Sequence, residues 1–259
     1  MRLIKNLLTL VIIVAVLAGG GVVALRIARG RPSGAETIKP NLVGVTAAGV
    51  YLFAARTGAH VVVFDTGADP EGRPVDAALS ALGAGRGDVS HVFITHAHAD
   101  HLGGAAGLAA ARIHVGAGDV DVAEKKSEPG ALVPKLVGKA LSVPAVTVSD
   151  PLAGAAAIDV GDGKTVKAIP APGHTPGSYV FLYDGVLFAG DTMMFKQGRL
   201  DPPPKFFDAD SATARASLAS LKQQIGDAEM DTICTAHGGC TPSGLGKNLL
   251  DDLVGRLGS

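Results

Sequence analysis

Thr95-His96-Ala97-His98-Ala99-Asp100-His101 packs three imidazoles and a carboxylate into the spacing H-x-H-x-D-H. Imidazole nitrogen and carboxylate oxygen suit zinc, and iron in the +2 state. The motif follows an apolar run, His91-Val92-Phe93-Ile94, that reads as a short buried strand. It precedes Leu102-Gly103-Gly104 and an alanine-rich stretch that reads as a helix. On a strand-to-helix turn, side chains one and two positions apart can converge, so the motif reads as a metal cage rather than as a polar loop. Three more residues belong with it by type and setting: His174 within Pro172–Ser178, His237 within Thr235–Gly238, and Asp191 at the end of the apolar run Val186–Ala189.

The flanking elements alternate between strands and helices. Val50–Ala54 and His60–Asp65, separated by Thr57-Gly58, read as a hairpin, and Val75–Leu82 as a helix with Pro74 in its first turn. Ile113–Val115, Val143–Val148, Thr165–Ile169, Tyr179–Tyr183, Val186–Ala189 and Thr232–Thr235 supply further strands, and Asp184-Gly185 is a hairpin turn. Ser211–Ile225 has apolar residues at helical spacing, with Ser211 or Asp210 as cap, and Ser243–Leu257 reads as a final helix.

Five motifs in order, Asp65-Thr66-Gly67, the H-x-H-x-D-H run, His174, Asp191 and His237, resemble the metallo-β-lactamase fold superfamily over roughly Leu42 to Pro242. The resemblance implies an α/β four-layer αββα sandwich with metals at one edge, between the sheets. It implies two divalent ions, zinc first, with Fe2+ or Mn2+ as alternatives. His96, His98 and His174 would hold one ion, and Asp100, His101 and His237 the other. Asp191 would bridge them with a water or hydroxide. Asp100 would also act catalytically by orienting that hydroxide or passing a proton. Asp65 would support the ligand loop, and Thr175 and Ser178 would shape the His174 turn or do similar work. His60, His91 and His114 match no motif and read as ordinary strand or surface residues.

Within the superfamily, Asp191 sets the chain apart from true β-lactamases, which have Cys or Ser there, and His98 from flavodiiron proteins. Glyoxalase II enzymes share the ligand set but carry a helical glutathione-binding domain, and only 22 residues follow His237 here. The acyl-homoserine lactonases share all seven ligands, with a tyrosine where this chain has Met194. The tRNA-processing nucleases need an extra arm and a basic surface, neither of which is evident. The expectation is a metal-dependent hydrolase of an ester, lactone or thioester. The rivals are a mononuclear iron persulfide dioxygenase using His96, His174 and Asp191, a phosphodiesterase or nuclease, and a non-catalytic metal-binding module. Met193, Met194, Phe195 and the loop Asp201–Phe207, stiffened by three prolines, would form an apolar lip for part of a small-molecule substrate.

The chain has 259 residues and is 47% apolar, enough for one sizeable core plus an N-terminal extra. Arg2 and Lys5 precede nineteen uncharged residues, Leu7–Leu25, followed by Arg26, Arg29 and Arg31. A helix of that length spans about 28 Å, close to a bilayer's hydrocarbon thickness. Residues 1–31 are therefore expected to be a signal anchor or a cleaved signal peptide, 32–41 a linker, and 42–259 the hydrolase domain. That places catalysis outside the cytoplasm, in the periplasm or at the cell surface, anchored in the membrane or secreted. Removing the five basic residues of the first 31 leaves 18 basic against 24 acidic, a net charge of −6. No nucleic-acid partner is expected of such a body. Cys234 and Cys240 flank His237; a buried Cys234 and an unbonded loop Cys240 are expected, although export would permit a disulfide.

Overall fold

The structure is a computed structural model describing residues 20–22, 24 and 27–258. Most of Leu7–Leu25 thus lies outside the described residues, and with it the expected N-terminal hydrophobic helix. Among those described, no helix is long and apolar enough to cross a membrane.

The first sheet runs in sequence order: β1 (Glu36–Lys39), β2 (Leu42–Ala47), β3 (Val50–Thr57), β4 (His60–Phe64), β5 (Val89–Ile94), β6 (Arg112–Gly116) and β7 (Asp150–Leu152). The second is built from β8 (Ala156–Gly161), β9 (Lys164–Pro170), β10 (Tyr179–Tyr183) and β11 (Val186–Gly190). After a two-stranded ribbon of β12 (Met194–Lys196) and β13 (Arg199–Asp201), the second sheet is completed by β14 (Thr232–Thr235) and β15 (Gly239–Cys240). Among the described residues after position 30, the helices are α1 (Arg73–Ala81), α2 (Ala99–Leu102), α3 (Val120–Ala123), α4 (Leu132–Leu141), α5 (Ser211–Ile225) and α6 (Gly246–Gly258).

Period-two alternation explains the four layers. Successive strand side chains point to opposite faces. In β4, Val62 and Phe64 enter the core between the sheets, while Val61 and Val63 face outward. Phe93 of β5, Phe181 of β10 and Phe188 of β11 join Phe64 between the sheets, and Phe64 and Phe188 stack with centroids 3.8 Å apart. The outer face of the first sheet is covered by Val75 and Leu79 of α1, Leu102 and Leu141. Leu218 and Leu221 of α5 and Leu250 and Leu253 of α6 cover the second sheet through Val180, Leu182, Leu187 and Ile233. This is the αββα sandwich expected from the sequence.

Several boundaries differ from the sequence reading. Glu36–Lys39, assigned to the linker, is an edge strand paired with β2. Val143–Val148 is not a strand: the chain leaves α4 through Ser142 at φ 54°, and Val143 and Val146 are buried in the outer core without joining a ladder. The alanine-rich stretch after the motif forms only a 3-10 turn at Ala105–Leu108, and the four-residue α2 lies on the end of the motif itself. The final helix starts at Gly246 rather than Ser243. Cys234 and Cys240, expected to be unbonded, are cross-strand partners of β14 and β15 and form a disulfide.

Candidate metal centre

Strand ends deliver the seven ligand candidates to one edge of the sandwich. The H-x-H-x-D-H run follows β5, His174 follows β9, Asp191 follows β11 and His237 follows β14. Tyr179 N donates to Thr95 O at 2.8 Å, which fixes the second sheet against the start of the motif.

The seven side chains fall into two groups around one carboxylate. His98 Nδ1 lies 2.9 Å from His96 Nε2 and 3.1 Å from His174 Nε2. Donor atoms of Asp100, His101 and His237 form a second cluster, with His237 Nε2 3.5 Å and His101 Nε2 3.9 Å from Asp100 Oδ2. Asp191 stands between them: Oδ1 is 3.4 Å from His101 Nε2, and Oδ2 is 3.4 Å from His237 Nε2 and 3.6 Å from His174 Nε2.

The donor set fits divalent cations. Nitrogens bound to a tetrahedral zinc at about 2.0–2.1 Å lie roughly 3.3 Å apart, close to the spacing of the three imidazoles. His101 Nε2 and Asp191 Oδ1 are buried with no hydrogen-bond partner, a costly arrangement unless an ion satisfies them. Burial, with His101 and His98 nearby, pushes the His96 pKa well below the usual imidazole value. Burial and His174 push that of His98 down to about 3. Both rings are thus neutral, with lone pairs available. At the second cluster burial again opposes charge, but Asp191, Asp65 and Asp100 outweigh it and raise the His101 pKa well above the ordinary value. Burial likewise works against ionising Asp100 and Asp191, yet His101 and His237 hold both carboxylates below their usual range.

Supporting groups lock the rings. Such partners fix tautomer and orientation and raise ligand basicity. Asp65 Oδ2 accepts from His101 Nδ1 at 2.9 Å, and its other oxygen accepts from Thr95 N at 2.8 Å. Asp65 has a φ of 56°, a strained conformation for a non-glycine residue, held by these buried bonds. The expected supporting role of Asp65 matches this geometry. Asp208 Oδ1 lies 3.1 Å from His174 Nδ1, and the Gly49 carbonyl lies 3.2 Å from His237 Nδ1. Asp119 ties two ligand loops together by accepting from Ala97 N (2.8 Å), Gly177 N (2.8 Å) and Thr175 Oγ1 (2.7 Å). Ser178 Oγ also accepts from Thr175 N at 2.9 Å, so Thr175 and Ser178 both shape the turn and anchor it. Asp208 and Asp119 carry no local sequence signal and were not anticipated. Gly190 is required: its φ is 51°, and a Cβ there would sit 2.3 Å from Thr95 Oγ1.

This arrangement matches one known family. A family model described as the metallo-beta-lactamase superfamily matches residues 44–237. The chain belongs to the metallo-beta-lactamase superfamily. The curated relatives that it matches are named as hydrolases. It is similar to a hydroxyacylglutathione hydrolase of Dechloromonas aromatica, 32% identical over 178 residues that cover 68% of this chain and 54% of that protein. It is also similar to a hydroxyacylglutathione hydrolase of Acidiphilium cryptum, at 34% identity over 57% of this chain and 52% of that protein. The chain spans about half the length of these relatives. Among solved structures, the subclass B3 metallo-beta-lactamase BJP-1 of Bradyrhizobium japonicum superposes with a TM-score of 0.64 at 25% identity, covering 81% of this chain and 80% of that one. A metallo-beta-lactamase family protein of Thermus thermophilus shares the fold, with a TM-score of 0.63 at 19% identity over 85% and 80% of the two chains.

A cleft of about 330 Å³ opens over the superfamily's metal edge, with His98, Asp100, Asp191 and His237 at its floor. Of the expected lip, Met194 and Phe207 line it, as do Pro203 and Pro204. Met193 is instead buried beneath the second sheet, Phe195 packs there too, and Phe206 is 62% exposed. The opposite wall, Pro134 and Val137 of α4, was not anticipated. His60, His91 and His114 lie on β4, β5 and β6, apart from the cluster.

Proposed function

We propose that the protein is a dinuclear metal-dependent hydrolase that cleaves a carboxylic ester, lactone or thioester. The observation that carries this reading is the Asp191 carboxylate, within 3.4–3.6 Å of ring nitrogens from both clusters. His96, His98 and His174 would hold one divalent ion, Asp100, His101 and His237 the other, and Asp191 both. Zinc suits this donor set, with Fe2+ or Mn2+ as alternatives. Two such ions would supply Lewis acidity and lower the pKa of a bound water toward neutrality.

The chain's own residues do the rest. Asp65, Asp208 and the Gly49 carbonyl hold His101, His174 and His237 in place, so no reorganisation is needed during reaction. Water oxygen adds to the substrate carbonyl carbon, the C–O or C–S bond breaks, and the acid product keeps the new oxygen. Asp100, on the cleft floor, is placed to hold the water's proton and pass it to the departing oxygen or sulfur.

The domain is further assigned to the outside of the cytoplasm, membrane-anchored or secreted. Support comes from the uncharged run Leu7–Leu25 and from the Cys234–Cys240 disulfide, a bond that persists in oxidising compartments. Residues 1–41 fused to alkaline phosphatase should give active reporter; an inactive fusion would refute export. The catalytic reading is tested with zinc-loaded full chain on esters, lactones and acyl thioesters. His98→Ala and Asp191→Ala should each lower kcat/KM by at least about 10³-fold while the far-ultraviolet circular dichroism stays unchanged. Full activity in either variant would refute the dinuclear mechanism.

A further inference from the structure

We infer that the cleft takes an uncharged, apolar acyl or alkyl group rather than a glutathione-type thiol. The inference rests on the hydrolase reading above. Beyond the floor formed by the ligand cluster, the lining consists of Pro134, Val137, Met194, Pro203, Pro204 and Phe207. None of these six side chains carries a charge or a hydrogen-bond donor. A glutathione thioester brings two carboxylates and an ammonium group, and each loses hydration on entering such a wall without gaining a partner. The curated relatives are named for that substrate, but the wall here fits different chemistry.

The two walls come from distant parts of the sequence. α4 packs against the 3-10 turn Lys205–Phe207, so Val137 and Phe207 belong to one mouth. Val137, Met194 and Phe207 are only partly buried, so they are not simply core residues. Their apolar surface faces water until something apolar covers it. Pro203 and Pro204 stiffen one side, and the unbranched Met194 can adapt to chains of different shape. At about 330 Å³ the cavity is at the lower end for small-molecule sites, enough for a medium-length chain next to a reacting carbonyl.

The test uses the zinc-loaded full chain and N-acetylcysteamine thioesters from acetyl to decanoyl, with S-lactoylglutathione as the charged comparison. Each methylene seated in the cleft should raise kcat/KM about threefold until the cavity is full. S-lactoylglutathione should fall at least about tenfold below the hexanoyl thioester. Phe207→Ala and Val137→Ser should flatten the rise with chain length, whereas Leu132→Ala, exposed and outside the cleft, should leave it intact. Calorimetry with decanoate and with glutathione gives a readout that needs no turnover. Decanoate should bind at least about tenfold tighter than acetate, less so in Phe207→Ala, and glutathione should not compete. A flat chain-length profile, or glutathione binding as tightly as decanoate, would overturn the inference while leaving the hydrolase reading intact. Absence of zinc-dependent turnover on every substrate would refute the hydrolase reading, while the calorimetry would still decide what the cleft binds.

Discussion

Asp119→Ala should unfasten the first metal cluster without touching a ligand. The Asp119 carboxylate is 1% exposed and accepts two backbone N–H bonds and one hydroxyl bond, all at 2.7–2.8 Å. One donor, Ala97 N, lies between His96 and His98; Thr175 and Gly177 belong to the His174 loop. Removing the carboxylate leaves two buried backbone donors unsatisfied and the Thr175 hydroxyl with Ser178 Oγ, at 2.8 Å, in place of its acceptor. Each bond to a charged acceptor contributes about 1.5–3 kcal/mol, and neighbouring losses do not add fully. A destabilisation of about 4 kcal/mol follows, a large part of the 5–15 kcal/mol typical of a folded domain. Metal-supporting residues typically change affinity by about 10–100-fold, so zinc affinity should fall within that range. Asp119→Asn keeps one acceptor oxygen but turns an amide N–H₂ toward a donor, and should lose about half as much stability. Urea denaturation of metal-free protein reads the first effect, and zinc competition with a chromophoric chelator reads the second. Wild-type stability and zinc affinity in Asp119→Ala would refute the claim that this carboxylate joins the two loops.

Three further outcomes are expected. His114 is buried against Phe93, with centroids 4.6 Å apart and both ring nitrogens unpartnered, and burial pushes its pKa down to about 4 despite nearby Asp150. Below pH about 6.5 the unfolded chain takes a proton that the folded one refuses, so stability should fall by up to about 2–3 kcal/mol as pH drops from 6.5 to 4. His114→Phe should raise the Tm at pH 7 and remove part of that slope; an unchanged pH–stability profile would contradict the assignment. Reducing the Cys234–Cys240 disulfide, which closes a short loop around His237, should cost about 2 kcal/mol and lower the Tm by about 4–8 °C. No shift with reductant would show that the bond is absent or without consequence. Chelating the metal should lower the Tm by several degrees, and zinc should restore it, since an ion that binds only the folded state stabilises it.

The candidate metal centre was legible in the sequence because its residues are local. His96, His98, Asp100 and His101 stand within six residues after an apolar strand, and the remaining candidate ligands each follow a strand end. Tyr179–Tyr183 and Thr232–Thr235 have the boundaries that their apolar runs suggested. α4 was missed because Gly130, Pro134 and Gly138 argue against a helix, yet Pro134 sits in the first turn, where its missing N–H costs nothing. Its valine-rich successor imitated a strand, but it carries Pro144, joins no ladder, and Val146 N donates to the Ala123 carbonyl instead. Asp119 and Asp208 are single acidic residues whose role exists only once distant loops meet. The disulfide likewise depends on the register of β14 against β15, which spacing alone does not fix.

The most direct test of the central claim is metal stoichiometry by mass spectrometry on full-length chain purified without added metal, then titrated with zinc. The two clusters sharing Asp191 predict two equivalents per chain in the wild type, and only one tightly held equivalent in Asp191→Ala or His237→Ala. Saturation at one equivalent in the wild type, or a single resident iron that zinc does not supplement, would contradict the dinuclear account.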